Sequence, residues 1–305
     1  MCNYHSLMKG NPKMKKSLTG PLIAIIGVNF IWGFDFIAIE YMMHYVSPAV
    51  FTLARLAIGS ILLTVCCFIF KKGIHIKKED MPRIFISGSV GLALYFTVEH
   101  LGTALTSASF SSIILATVPI FGMIGDRIFF GNKITPLKVI CILASILGVY
   151  LLVSGGAMKV SLLGLLAMIA SAIIWAFYIV YVKPLYAKYD LLTLLTGLFL
   201  SGLIVEIPTT FIYQAVTHAP ITITPMGILV TVATAIVCII VGEFCYIYSV
   251  GRLSTTLVAS FENVLPLTTV IFSLVIFGTM LTGTQIVGGV IIMISVTIIA
   301  LLEGR

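Results

Sequence analysis

The sequence predicts an all-α membrane protein of ten transmembrane helices arranged as two inverted five-helix repeats. Three observations predict it: a composition that cannot cover a surface in water, ten long apolar runs, and a correspondence between the two halves of the chain. Of 305 residues, 60% are hydrophobic and 10% charged, against about 25% charged in a soluble domain. That balance excludes an ordinary soluble enzyme, a nucleic-acid binder and a disordered chain. Of the six cysteines, all but Cys2 lie inside apolar runs without metal-type or paired extracellular spacing, so they read as buried apolar residues.

A spanning helix needs about 20 apolar residues, because about 1.5 Å of rise per residue must cross about 30 Å of hydrocarbon. Charged or Pro/Gly breaks divide the chain into ten such runs: 21–43, 48–70, 83–103, 107–130, 135–154, 161–182, 190–213, 226–249, 254–277 and 282–302. The first follows Lys13, Lys15 and Lys16 but lacks a small-residue cleavage site and is too long for a signal peptide. All ten are apolar on every side, whereas barrel strands would alternate, so helices are predicted throughout.

The eighteen Lys and Arg residues orient these runs. With the N-terminus inside, the cytoplasmic side receives Lys9, Lys13, Lys15, Lys16, Lys71, Lys72, Lys77, Lys78, Arg83, Arg127, Lys133, Lys138, Lys183, Lys188, Arg252 and Arg305. Only Lys159 falls opposite, and Arg55 lies within a span. This bias predicts a multi-pass cell-membrane protein with both termini in the cytoplasm, and it accounts for the net charge of +7 without a polyanionic partner. The expected surroundings are lipid, with no nucleic acid; a monomer and a homodimer are equally compatible with the sequence.

The halves correspond at nearly constant offsets. At 147, Ser107 meets Ser254, Pro119 meets Pro266, Phe130-Gly131 meets Phe277-Gly278, Thr135 meets Thr282 and Val149 meets Val296. At 143, Ile31-Trp32 meets Ile174-Trp175. After a basic segment at 1–20, the expected repeats occupy 21–154 and 161–302. Five spans per repeat force opposite orientations, a layout that puts a binding site near the midplane between the repeats.

Ile31-Trp32-Gly33 and Ile174-Trp175-Ala176, the stretches from Ala104 to Pro119 and from Gly251 to Pro266, and the Phe-Gly turns leading to Thr135 and Thr282 carry a specific pattern. It resembles the EamA-type branch of the drug/metabolite transporter superfamily, from about residue 21 to 302. Arg55 also stands where that family often has arginine. Asn132 and Thr279 replace an acid frequent in the family's turn, and Glu40 stands where a basic residue often ends the first helix. The resemblance implies a carrier of small metabolites, amino acids or drugs, commonly moving them outward.

The residues themselves locate the chemistry. An ionised side chain at mid-bilayer costs roughly 2.5–3.5 kcal/mol on insertion scales, so Asp35, Glu40, Glu99, Glu206, Glu243, Glu262 and Arg55 are informative. Glu40 and Arg55 read as a structural ion pair that Glu99 could join, with Glu206 reaching water and His100 facing lipid. Asn29, Trp32 and Asp35 share one helical stripe, as do Trp175 and Tyr178. These five, with Tyr95, Glu99, Glu262 and Asn263, are the expected substrate cavity; Tyr246 is a further aromatic candidate. Each aromatic could instead be ordinary core, while two matched Trp stripes favour a cavity wall suited to apolar or cationic groups. Asp35, Glu243 at the cytoplasmic mouth, and Glu262 are the candidates for proton or ion coupling. Pro119 and Pro266 are candidate hinges, because proline obstructs the carbonyl four residues earlier.

No nucleotide-binding P-loop, His-Glu-x-x-His or Gly-x-Ser-x-Gly motif occurs. No second mid-membrane Asp completes a protease dyad with Asp35. The expectation is a non-enzymatic secondary transporter of a small organic solute that needs no cofactor and no metal. It is either an exporter exchanging a cationic or zwitterionic solute against protons, or an uncoupled amino-acid facilitator with structural acids. A receptor or scaffold that moves nothing is the alternative of another class.

Overall fold

In the computed structural model, residues 19–70, 73–118, 120–122, 124, 127, 135–154, 161–186, 188–250, 252–253, 264–278 and 280–303 are described. Among them the secondary structure is helical. The helices are α1 (Thr19–Met42), α2 (Pro48–Ile69), α3 (Met81–Ala104), α4 (Ala108–Leu115), α5 (Pro136–Ser154), α6 (Leu162–Tyr186), α7 (Leu191–Thr217), α8 (Pro225–Ser249), α9 (Val264–Phe277) and α10 (Gly283–Glu303). By length and composition α1, α2, α3, α6, α7 and α8 can each cross a membrane. The apolar helices of α4, α5, α9 and α10 are shorter. Large apolar side chains cover the outside of the bundle, such as Phe68, Phe211 and Val275, each more than 70% exposed. That surface suits lipid, where burying apolar groups from water is already accomplished.

Local chemistry sets the helix starts. Ser47, Ser107, Asp190 and Thr224 each accept from a backbone amide three residues on, and Pro48 and Pro225 occupy first-turn positions where an amide would lack a partner anyway. α7 ends at His218, whose left-handed conformation (φ 49°) lets its amide bond the Gln214 carbonyl. α4 ends as regular helix at Leu115, the position four before Pro119. Pro119 itself lies outside the described residues, as do Glu262 and Asn263. Pro266 is buried in the first turn of described α9.

The packing partners come in matched sets. α1 lies against α8 and α9, and α6 lies against α3 and α4. α2 pairs with α7, and α5 with α10. Small residues allow the tightest approaches: a Cβ at Gly33 would strike Thr268 of α9, and a Cβ at Gly148 or Gly288 would strike the other's carbonyl where α5 crosses α10. One apolar core runs through α1 to α10, with Ile25, Leu56, Leu92, Ile114, Met168, Phe199 and Ile292 among its fully buried members.

α3 and α8 each contain one widened π-helical segment, Ser89–Leu94 and Ala235–Val241. Such segments insert an extra residue into the turn and occur frequently at functional sites. Directly after each comes a group of polar and aromatic residues, Tyr95 to Glu99 in α3 and Glu243 to Tyr246 in α8.

Candidate functional site

A cavity opens at the centre of the bundle. α1 supplies Asn29, Trp32, Asp35, Phe36 and Ile39 to its wall, and α3 supplies Tyr95, Phe96 and Glu99. Leu115 ends α4 on the wall, followed by Ala116 and Val118; Trp175 comes from α6, Cys238, Ile239 and Glu243 from α8, and Leu265 from α9. The stripe of Asn29, Trp32 and Asp35, read from helical spacing, therefore shares one cavity with Tyr95, Glu99 and Trp175.

The aromatic wall is continuous. The Trp32 and Trp175 rings meet edge to face with centroids 6.2 Å apart. Tyr95 lies 4.6 Å from Trp175, and Tyr246 lies 5.2 Å from Trp32. Such ring pairs contribute about 0.5–1.5 kcal/mol each beyond area burial. Trp32 is pinned further, because its Nε1 donates to the Cys238 carbonyl in the π segment of α8 over 3.0 Å. Glycine makes room on both sides: a Cβ at Gly242 of α8 would meet Trp32, and a Cβ at Gly91 of α3 would meet the ring of Tyr178.

Tyr178 does not reach the cavity. It stands behind Trp175 at 5.0 Å, buried against Gly91, because the π segment of α3 brings that glycine to it. Glu243, expected at the cytoplasmic mouth, lines the same cavity as Glu99.

The expected Glu40–Arg55 pair is also corrected. Arg55 donates from Nη2 to Asp35 Oδ2 at 2.6 Å, with both side chains buried. Glu40 Oε2 instead accepts the Ala108 amide at 2.7 Å, at the start of α4, where the orphan amides and helix dipole favour a carboxylate. Arg55 lies over Phe51 and Phe96, 5.0 and 5.9 Å from their centroids, and its Nη1 is 3.3 Å from His100 Nε2.

His100 is fully buried between α3 and α2 and does not face lipid. Its hydrogen bonds assign the tautomer. Thr52 Oγ1 donates to the Pro48 carbonyl, so it accepts from His100 Nδ1 at 2.8 Å; Nε2 then carries the lone pair that Arg55 meets. His100 is thus a neutral bracket for the guanidinium. Glu206 does not reach water either: Thr97 and Thr210 donate to its Oε1 at 2.9 and 3.2 Å inside the bundle. No spacing in the sequence signals that α3–α7 meeting. Cys238 and Ile239 of the wall were likewise missed, since they read as ordinary apolar core.

Away from the cavity, a polar clamp joins the loop before α3 to the one before α7. Lys188 Nζ and Tyr189 Oη each donate to Asp80 at 2.7 Å. These donors hold the Asp80 carboxyl below its ordinary range.

A helical bundle with an aromatic and acidic central cavity defines a class, the multi-pass membrane proteins that take small molecules into their interior. The chain belongs to the EamA-like transporter family, whose model matches residues 19–154 and again 162–301. An uncharacterized transporter of Archaeoglobus fulgidus is 30% identical over 181 residues, 59% of this chain and 63% of that protein. The chain thus spans less than two thirds of that relative's length. A probable terminal-alkyne amino-acid exporter of Streptantibioticus cattleyicolor is 22% identical over 243 residues, 79% of each chain. A crystal structure of a protein 15% identical superposes with a TM-score of 0.67, covering 95% of this chain and 99% of that one, and shows the fold alone. The family is one of membrane transporters, not enzymes.

Proposed function

We propose that the chain is a secondary transporter that moves a small organic solute outward across the cell membrane by alternating access. In this reading ten helices form two inverted five-helix repeats, with both termini cytoplasmic. The observation that carries it is the make-up of the cavity wall. α1, α3 and α4 supply one part, and the helices at the same places in the second half, α6, α8 and α9, supply the other. Gly91 of α3 receives Tyr178 of α6, and Gly242 of α8 receives Trp32 of α1, so in each case a glycine of one half's third helix takes an aromatic ring from the other half's first helix, at steps one turn apart. The double match of the family model supports the repeat, and inverted repeats place solute sites at such interfaces. The relative named as an amino-acid exporter supports the outward direction.

Exchange against protons is the coupling we favour, with Asp35, Glu243 and Glu262 as carriers, because acids outnumber bases around the cavity. Glu262 and Asn263 are expected to complete its wall, and Pro119 and Pro266 to serve as hinges. The test is counterflow in proteoliposomes loaded with a panel of amino acids and amines, with a pH-sensitive dye inside. Solute-dependent uptake accompanied by proton movement is expected. Absence of counterflow for the whole panel overturns the transport reading. Persistence of pH-dependent flux in both Asp35→Asn and Glu262→Gln overturns the coupling and leaves a facilitator.

A further inference from the structure

The hydrogen-bonding capacity of the cavity wall is lopsided. Two of its donors are engaged within the protein: Asn29 Nδ2 donates to the Ile25 carbonyl at 2.7 Å, and Trp32 Nε1 donates to the Cys238 carbonyl. Several of its acceptors lack a partner. Asn29 Oδ1, Asp35 Oδ1 and Glu243 Oε2 are buried without a hydrogen-bond partner, on side chains of residues 1%, 7% and 2% exposed, and all three residues line the cavity. Glu99, the fourth acceptor, is reached only at long range by one donor, Thr103 Oγ1 at 3.5 Å.

An unpartnered buried acceptor is destabilising, the more so when charged. Three of them on residues that line one aromatic cavity constitute a demand for hydrogen donors carrying positive charge. Trp32, Trp175, Tyr95, Phe36 and Phe96 complete the match, since ring faces attract desolvated cations. The bundle's guanidinium cannot reverse this bias. Arg55 is held by Asp35 and is not on the wall. Asn29 Nδ2 and Trp32 Nε1 are thereby withheld from a carboxylate, and Asp35, Glu99 and Glu243 repel it.

Building on the transport reading, we infer that the solute is a small organic ammonium with an apolar or aromatic body and no carboxylate: an amine, not an amino acid. An ammonium brings donors and no acceptor, the complement of the open Asn29, Asp35 and Glu243 oxygens. A zwitterion would bury its carboxylate against like charge.

The chain supplies its own reporter. Its two tryptophans are Trp32 and Trp175, both on the wall, so tryptophan emission of the full chain in nanodiscs at neutral pH reads occupancy. Phenethylamine, phenylalanine and 3-phenylpropionate share one body and differ only in ammonium and carboxylate. Phenethylamine is expected to change the emission saturably, with a Kd at least tenfold below that of phenylalanine, and 3-phenylpropionate to give no saturable change. Asp35→Asn and Glu243→Gln should each raise the phenethylamine Kd at least tenfold, while Glu40→Gln leaves it unchanged. Equal binding of phenylalanine and phenethylamine overturns the inference and leaves transport standing. Absence of saturable binding of phenethylamine to the unmodified chain overturns it as well. Because the ligand series uses the unmodified chain, a variant that fails to fold does not decide the outcome, and loss of counterflow separately reports failure of the transport reading.

Discussion

Arg55 on α2 holds Asp35 on α1 through one carboxylate oxygen, at 2.6 Å, and leaves the other oxygen without a partner. The pair ties two helices together inside the bundle, where one charge without the other is expensive. Breaking a buried pair by removing one partner costs about 3–5 kcal/mol, whereas replacing both is often near neutral. Arg55→Met alone is expected to lower the thermal midpoint in detergent strongly, and Asp35→Asn with Arg55→Met to recover much of the loss. Equal destabilisation of the single and double variants would show that the pair is not the source.

The crossing of α5 and α10 depends on Gly148 and Gly288. An added Cβ at Gly288 meets the Gly148 carbonyl and the Leu152 amide, neither of which can move aside as a side chain could. Gly288→Ala should therefore destabilise by about 1–3 kcal/mol. Gly27→Ala is the control, since nothing lies near a Cβ there. It should be neutral or stabilise by up to about 1 kcal/mol, through the lower entropy of the unfolded chain. Thermal denaturation of both variants checks the opposite signs.

Glu40 and Ser107 cap the same helix start from different elements: Glu40 Oε2 accepts the Ala108 amide and Ser107 Oγ accepts that of Phe110. Glu40→Gln should cost about 0.5–1 kcal/mol, chiefly through the lost helix-dipole interaction. Ser107→Ala should cost about 1 kcal/mol. Because the two act on one helix terminus, the double variant should depart from additivity in a thermal-shift cycle.

The Asp80 clamp makes a pH prediction. Its carboxyl sits below the ordinary aspartate value of 3.8, principally because Lys188 donates to it, with Tyr189 adding a second bond. The folded state therefore binds this proton less readily than the unfolded chain. The stabilisation is complete above the ordinary value and disappears as pH falls through the lowered one. A thermal-midpoint profile from neutral pH to about pH 3 should show Asp80→Asn already lacking this contribution at neutral pH. The gap to the unmodified chain should close only in acid; a gap that is constant across the range would dissociate the clamp from stability.

Much of the bundle was legible because lipid imposes a simple rule of apolar length. The expected runs at 21–43, 48–70 and 83–103 coincide within two residues with Thr19–Met42, Pro48–Ile69 and Met81–Ala104. Of the candidate site, Asn29, Trp32 and Asp35, one helical stripe in the sequence, share a cavity with Tyr95, Glu99 and Trp175. What failed were pairings between helices. Arg55 could reach acids at several depths in a one-dimensional reading, and only the three-dimensional packing brings it to Asp35 and not to Glu40. His100 is 100° from Glu99 around α3, a direction that means lipid only if no helix stands there, and α2 does. The π segments have no residue signature, so the register of Glu243 and the placement of Tyr178 behind Trp175 were beyond spacing arguments.

Asp35 and Tyr178 stand at the same step of their helices, three residues after Trp32 and Trp175. One is a carboxylate anchored to an arginine, the other a phenol packed on a glycine. A backbone repeated with its sense reversed would by itself leave its two arrangements degenerate in energy. Unlike residues at like positions lift that degeneracy. In the inverted-repeat carrier proposed above, any bias in which face of the membrane the resting molecule opens to would therefore originate in a few side chains and not in the course of the main chain.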